Sequence, residues 1–396
     1  MVNERINYFT NLIIFYPLLP SSLVTLNAMK MITTNTQLLD FCHPLLTSQV
    51  PLAIGIDTEF VRERTYWPKL CLIQITSPLS PDEPVLVDPL AGLNLNPFQA
   101  LLASSHITKV IHSARQDIEI FWHEWRTLPN GFFDTQVAAM ACGMGEGMGY
   151  GALVKTLFEC ELEKDSQYTD WSRRPLTEKQ LAYAMMDVIH LLPALDILSQ
   201  RLTQLNRWEW MADDLATLLN PTTYEADPQH AWLRLHSHRH KPQNLAFMQD
   251  ICAWREITAI HLNVNRGRLL RDECILKIGI NLPKTPDELK VLADSPLLTD
   301  TLTQELFLIY QAALLKPKER WPEAPKKPIL SVLARRRLET LRGKLNEVAQ
   351  SLNVPARLIA PKADLVALAE GRQEGNRILT GWRYEAFGHQ VKDILG

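Results

Sequence analysis

The run Ile54-Gly55-Ile56-Asp57-Thr58-Glu59-Phe60-Val61-Arg62, continued by Tyr66-Trp67-Pro68 and Leu70-Cys71-Leu72-Ile73-Gln74-Ile75, decides how this chain is read. Apolar residues dominate it, yet two carboxylates, Asp57 and Glu59, stand two positions apart. Alternate side chains of a strand share a face, so both acids project together from a strand whose composition marks it for burial. Like charges side by side in a core are costly unless something positive neutralises them. A divalent-metal site meets that requirement, whereas a purely structural strand has little use for the pair. Alone, Asp-x-Glu at a strand end is a weak signal, and further acids must come from elsewhere in the chain.

The 396 residues suffice for two or three domains. Charge is unevenly spread: residues 1–211 carry 15 Lys and Arg against 22 Asp and Glu, and residues 212–396 carry 26 against 22. An acidic front and a basic back fit a metal-binding catalytic region followed by one that meets a polyanion. Drift of composition between domains would give the same numbers. The six cysteines form no Cys-x-x-Cys pair and read as reduced core thiols of a cytoplasmic protein, neither a disulfide framework nor a zinc site. Asn11 to Leu26 is apolar but broken by Pro17 and Pro20, too short and interrupted for a spanning helix. With Met29 and Met31 following at once, residues 1–28 read as an upstream extension outside the fold. No other membrane segment is expected.

Along the chain, residues 35–43 have helical spacing that Pro44 should end. Strands are expected at 52–60, 70–76 and 85–87, with short connections that suit antiparallel neighbours, and another at 109–111. Helices should follow at 94–104 and from Ser113, a plausible N-cap, through Asp117. Strands and helices mixed in this way suggest one mixed α/β sheet. No G-x-G-x-x-G follows a strand, so dinucleotide binding has no support. Gly143-Met-Gly-Glu-Gly-Met-Gly-Tyr-Gly151 lacks the Gly-Lys-Ser/Thr ending of a phosphate loop and reads as a flexible connector before a helix at 152–158. Thr177 should cap a long helix, 178–201, kinked by Pro193. It carries Tyr183 and Asp187, four apart and so on one face. A helical Asp is commonly just solvated or hydrogen-bonded, and Asp187 gains meaning only from company.

Beyond Trp210 strand alternation is lost. Amphipathic helical runs are separated by two linkers, 227–242 and 316–328. His236, His238 and His240 in the first read as a solvated basic loop rather than a metal site. The helical blocks occupy about 75 residues each, an ordinary size for small modules.

Together the acids fall in strand, helix and helix contexts: Asp57 with Glu59, then Asp117, then Asp187 after Tyr183. Here the sequence meets a family. Asp57-Thr58-Glu59-Phe60-Val61-Arg62-Glu63-Arg64-Thr65-Tyr66-Trp67-Pro68 resembles the first exonuclease motif of bacterial ribonuclease D. His112 to Phe121 resembles the second, and Tyr183-Ala184-Met185-Met186-Asp187 the third, in its Tyr-x-x-x-Asp form. Asp170–Leu176, Phe133-Asp134-Thr135-Gln136 and Gly381–Gly388 are also similar. Cys252-Ala253-Trp254-Arg255-Glu256 and Asn265-Arg266-Gly267 resemble a helicase-and-ribonuclease-D C-terminal (HRDC) module, and the second helical block matches that module more weakly.

The resemblance implies an α/β plus all-α protein. A ribonuclease-H-like mixed-sheet exonuclease domain of the DEDD type (31–210) would be followed by an HRDC domain (239–318) and a divergent HRDC-like helical domain (326–396). It implies a 3′→5′ exoribonuclease acting on tRNA precursors and other small RNAs with single-stranded 3′ ends. Asp57, Glu59, Asp117 and Asp187 would hold two divalent ions, Mg²⁺ or Mn²⁺, which prefer hard carboxylate oxygens. Tyr183 would orient the attacking water, and nucleoside 5′-monophosphates would be released from a monomeric enzyme. Tyr66, Trp67, Trp171, Arg173 and Arg174 are candidate RNA contacts through stacking and charge, with core packing as the competing role for Trp67 and Trp171. A DNA-directed 3′→5′ exonuclease, or an inactive RNA-binding protein on the same fold, are the alternatives.

Overall fold

The computed structural model describes residues 30–162, 169–235, 242–323 and 330–395. Residues 1–28 and the His236, His238 and His240 cluster lie outside the described residues. The chain divides into two compact units. The first holds the described residues up to Phe60, Leu70–Thr223 and Leu330 onward. The second holds Val61–Lys69 and the described residues of Tyr224–Ile329.

The first unit begins with β1 (Lys30–Ile32), α1 (Asn35–Leu46), β2 (Leu52–Val61), β3 (Lys69–Ser77), β4 (Ser80–Val87), α2 (Asn96–Ala103), β5 (Ile107–Ile111), α3 (Arg115–Trp125) and β6 (Phe132–Asp134). The strands form one mixed sheet in the order β1-β4-β3-β2-β5-β6. β3 and β4 pair antiparallel, while β1 with β4, β2 with β5, and β5 with β6 are parallel. β2 and β3 are central and buried on both faces at most positions, which explains their near-continuous apolar composition. Helices α4 (Thr135–Ala141), α5 (Tyr150–Phe158), α6 (Glu178–Ile189), α7 (Leu191–Leu205) and α8 (Ala212–Leu218) follow.

Several boundaries differ from the sequence expectations. α1 runs through Pro44 to Leu46, because a proline in the last turn removes one hydrogen bond without ending the helix. Thr177 caps α6 in a full capping box with Gln180. The break expected at Pro193 lies upstream at His190. Pro193 has no N–H for the Ile189 carbonyl and its ring crowds that carbonyl, so α7 starts anew just before it. Together α6 and α7 form one stretch, Glu178–Leu205, long and apolar enough to cross a membrane by length and composition. Its Leu191, Leu192, Leu195, Leu198 and Leu202 are buried in the core of the unit.

In the second unit α9 (Pro242–His261), α10 (Arg266–Leu269), α11 (Asp272–Asn281), α12 (Pro286–Ala293) and α13 (Asp300–Leu314) surround an apolar core. Glu256 on α9 is fully buried, and its Oε1 accepts from Arg234 at 3.1 Å and Arg266 at 3.0 Å. It also accepts a short bond from the Tyr66 hydroxyl. Two cations and a phenol make burial of this carboxylate tolerable. Tyr66, on the excursion between β2 and β3, is thus part of the helical unit's core.

The chain then returns to the first unit with α14 (Val332–Leu352), α15 (Ala356–Ile359) and α16 (Lys362–Ala369). Leu338, Leu341 and Leu345 share one core with Ala138, Leu198 and Met211. These helices also hold the glycine run. Asn353 Nδ2 donates to the Gly143 carbonyl at 3.0 Å, and Arg357 pairs with Glu146. Gly143 has φ +82°, and a Cβ there would stand 2.6 Å from the Asn353 carbonyl oxygen. The run is therefore a docked loop, not the flexible connector its composition suggests.

Candidate active site

Asp57 and Glu59 leave β2 on the same face, as strand alternation requires. Asp187 comes from the last turn of α6. One carboxylate oxygen from each of these three residues lies within 4.8 Å of the others. Asp117 stands beside them in the first turn of α3, 5 % exposed, with its Oδ1 accepting from Thr58 Oγ1 at 2.5 Å. The structure thus places Asp57, Glu59 and Asp187 in one cluster, with Asp117 tied to the strand residue between the first two.

Electrostatics agree. Burial first, then the charges of Asp117, Asp187 and Glu59, hold the Asp57 carboxyl well above its ordinary range. Burial, with Asp187 and Asp117, pushes Glu59 up to about 9. Burial raises Asp117 to about 7 against the opposing Thr58 hydrogen bond. Burial likewise raises Asp187 to about 7, opposed by a hydrogen bond from Tyr183. Burial leads the upward shift of all four, and neighbouring carboxylates add to it at Asp57, Glu59 and Asp117. A cluster of carboxylates that raise one another's proton affinity is a cluster a divalent cation would discharge. All the donors are oxygens, which suits a hard divalent cation.

Tyr183 sits one turn before Asp187 and donates its hydroxyl to it. Burial and the charges of Asp187, Glu59 and Asp57 push the phenol above its ordinary value, so it keeps its proton.

Asp134, quoted in the sequence only within a similar tetrapeptide, proves central. It is 1 % exposed and caps α4, its Oδ1 accepting from the amides of Gln136 at 2.8 Å and Val137 at 3.1 Å. The same carboxylate reaches across to the start of α3, where Ser113 N–H donates to Oδ1 at 3.3 Å and Ala114 N–H to Oδ2 at 2.9 Å. Ser113 is not the N-cap: it has φ +57°, and Ala114 at the cap position makes no side-chain bond. Asp134 supplies the capping that Ser113 does not, and so fixes the helix that carries Asp117.

The proposed RNA contacts fare differently. Tyr66 is buried against Glu256, and Trp67 packs edge-on against it with ring centroids 4.5 Å apart. Trp171 is 1 % exposed, its ring 6.1 Å from that of Tyr183, so it is a wall of the core and offers no face to a base. Arg174 grips Asp88 through Nε and Nη2, both at 2.7 Å, and donates to the carbonyls of Trp171, Arg173 and Cys71. Its fork is consumed by the fold. Arg173 is exposed and pairs at the surface with Asp170.

The 3′-5′ exonuclease family matches residues 29–203. A ribonuclease D of Bartonella henselae is 37 % identical over 371 residues, 93 % of this chain and 90 % of its own length. A ribonuclease D of Nitrobacter hamburgensis is 38 % identical over 363 residues, 91 % and 93 % of the two chains. Among solved structures, Escherichia coli RNase D, described as an exoribonuclease involved in structured RNA processing, superposes with a TM-score of 0.78 at 26 % identity. That match covers 93 % of this chain and 98 % of that one. With such identity sustained over nine-tenths of its length, the chain belongs to the ribonuclease D family.

Proposed function

We propose that this ribonuclease D, a 3′→5′ exoribonuclease, hydrolyses the terminal phosphodiester of RNA with two divalent ions, Mg²⁺ or Mn²⁺, held by Asp57, Glu59, Asp117 and Asp187. The single observation that carries the reading is the convergence of Asp57, Glu59 and Asp187 oxygens within 4.8 Å on a partly buried face. Bound divalent cations supply Lewis acidity at the scissile phosphate and ease deprotonation of the attacking water. The chain's own residues do the rest. The acids fix the cations' place, and Thr58 and Asp134 hold Asp117 in register. Tyr183, which keeps its proton, orients the water rather than serving as base. Nucleoside 5′-monophosphates leave one at a time. Transfer-RNA precursors and other small RNAs with single-stranded 3′ ends are the substrates.

Residues 239–318 and 326–396 are read as HRDC-type modules, and the enzyme as a cytoplasmic monomer. Six free cysteines, four of them buried, suit a reducing compartment.

The test is a time course on a 5′-labelled tRNA precursor with a 3′ trailer, using wild type and Asp57→Asn in Mg²⁺. A one-nucleotide ladder from the 3′ end, absent in the variant, is expected. Equal cleavage by the variant would reject the four-acid site, and preference for a matched DNA oligomer would redirect the substrate assignment.

A further inference from the structure

One polar atom beside the acids is left over by this scheme. Tyr150 opens α5 directly after the docked glycine loop. Its ring lies tilted against that of His112, centroids 5.5 Å apart, and His112 is itself tied through Nδ1 to Thr135 Oγ1 at 2.9 Å. The Tyr150 hydroxyl is buried, and no described residue takes its proton. The backbone amide of His190 faces it, one turn beyond Asp187 on the same helical stretch. The charges of Asp187 and Asp57 are both felt there.

A buried hydroxyl whose own proton has no acceptor is uncommon and calls for an explanation in function or in a bound group. With an amide N–H directed at its oxygen, the phenol has its own proton to give. The four acids can only accept when ionised, and the Tyr183 hydroxyl is already given to Asp187. A phosphate oxygen brought among carboxylates also only accepts.

We propose that Tyr150 is a second substrate-contacting tyrosine, whose hydroxyl donates to a non-bridging oxygen of the terminal phosphodiester of the RNA. This rests on the reading of the four acids as the cleavage site. The contact strengthens as negative charge builds on the phosphate during attack, so it favours the transition state over the bound substrate.

The experiment compares wild type, Tyr150→Phe and Asp57→Asn as full-length chains in Mn²⁺. Three properties are read: thermal midpoint, Mn²⁺ binding by electron paramagnetic resonance without RNA, and single-turnover cleavage. The cleavage substrates are an RNA and its two terminal phosphorothioate diastereomers. Because the hydroxyl accepts only the His190 amide, its removal lowers the midpoint of Tyr150→Phe slightly at most. Mn²⁺ binding stays as in wild type, while cleavage falls about tenfold or more. Sulfur at one of the two positions slows wild type but adds nothing further in Tyr150→Phe, the non-additivity expected of a shared contact. Unchanged cleavage, weakened Mn²⁺ binding, a lowered midpoint that accounts for the loss, or additive effects of sulfur and mutation would each overturn the proposal. Should Asp57→Asn cleave normally, the site assignment fails instead, a result separable from any failure of Tyr150.

Discussion

A β-carbon placed on Gly55 would stand 2.9 Å from the β-carbon of Leu191 and 2.6 Å from Thr76 Cγ2. Gly55 lies two residues before Asp57 on the same strand face, and Leu191 lies four residues after Asp187. The missing side chain therefore lets the α6–α7 stretch approach the sheet closely enough for the two acids to meet.

Gly55→Ala should force that stretch outward. Overpacking of this kind costs roughly 1–3 kcal/mol, and separation of Asp57 from Asp187 should lower the rate disproportionately. Melting and cleavage assays on the same preparation check this: a stability loss with the turnover of the folded fraction intact would contradict it.

Asp57→Asn and Asp187→Asn should abolish detectable cleavage yet stabilise the metal-free protein above neutral pH. The sign follows from the raised carboxyls. Their ordinary values are 3.8 and 4.5, against about 7 for Asp117 and Asp187 and about 9 for Glu59 in the folded chain. Between those limits the native state retains protons that the unfolded state has released, so stability falls as pH rises from about 4 to about 9. Thermal midpoints measured across that range in EDTA should decline for wild type and decline less for Asp187→Asn.

Divalent cation should reverse that decline. Binding needs the deprotonated carboxylates, so Mg²⁺ displaces protons, and the midpoint gain per millimolar Mg²⁺ should grow from pH 6 to 9. Cleavage should rise over the same interval. A metal-induced shift equal at pH 6 and pH 9, or equal in Asp57→Asn, would count against the cluster as the metal site.

Asp134→Asn should separate capping from positioning. An Asn oxygen can still accept from Gln136 and Val137, but its amide cannot also accept from Ala114. Loss of that bond costs about 1 kcal/mol, while the freed start of α3 lets Asp117 wander. We expect a larger fall in activity, with a raised Mn²⁺ requirement, than the modest drop in midpoint. Asp134→Ala should lose both functions and unfold more readily.

Tyr183→Phe should reduce the single-turnover rate by about 100-fold, within the range of a positioned polar group in a transition state, with RNA binding in Ca²⁺ unchanged. Rate profiles of the variant should keep the wild-type rise with pH, because Tyr183 does not titrate in that range. A lost or displaced rise would instead make Tyr183 the base.

Those features that depend on local spacing are legible in the sequence. Strand alternation put Asp57 and Glu59 together, and the four-residue step put Tyr183 over Asp187. The mixed sheet followed from short strands interleaved with helices. What stayed hidden depends on contacts remote in sequence. Asp134 shows in the sequence only within a similar tetrapeptide, because its bond to Ala114 spans twenty residues. The glycine loop reads as slack because Asn353, 210 residues on, is what holds it. Trp171 and Arg174 look like surface groups for nucleic acid until Asp88 and the core beneath claim them.

Residues 61–69 leave the first unit immediately after the strand that carries Asp57 and Glu59, give Tyr66 to the core of the helical unit, and return at Leu70. With the later passages after Thr223 and before Leu330, the chain crosses between the units four times. No single cut of the polypeptide can therefore release either unit whole. A chain ended at Thr223 strands an aromatic side chain without its glutamate and strips the sheet unit of the helices that complete its core. The architecture is interlaced at the level of the backbone, and terminal shortening, which readily sheds modules strung in series, damages both units here at once.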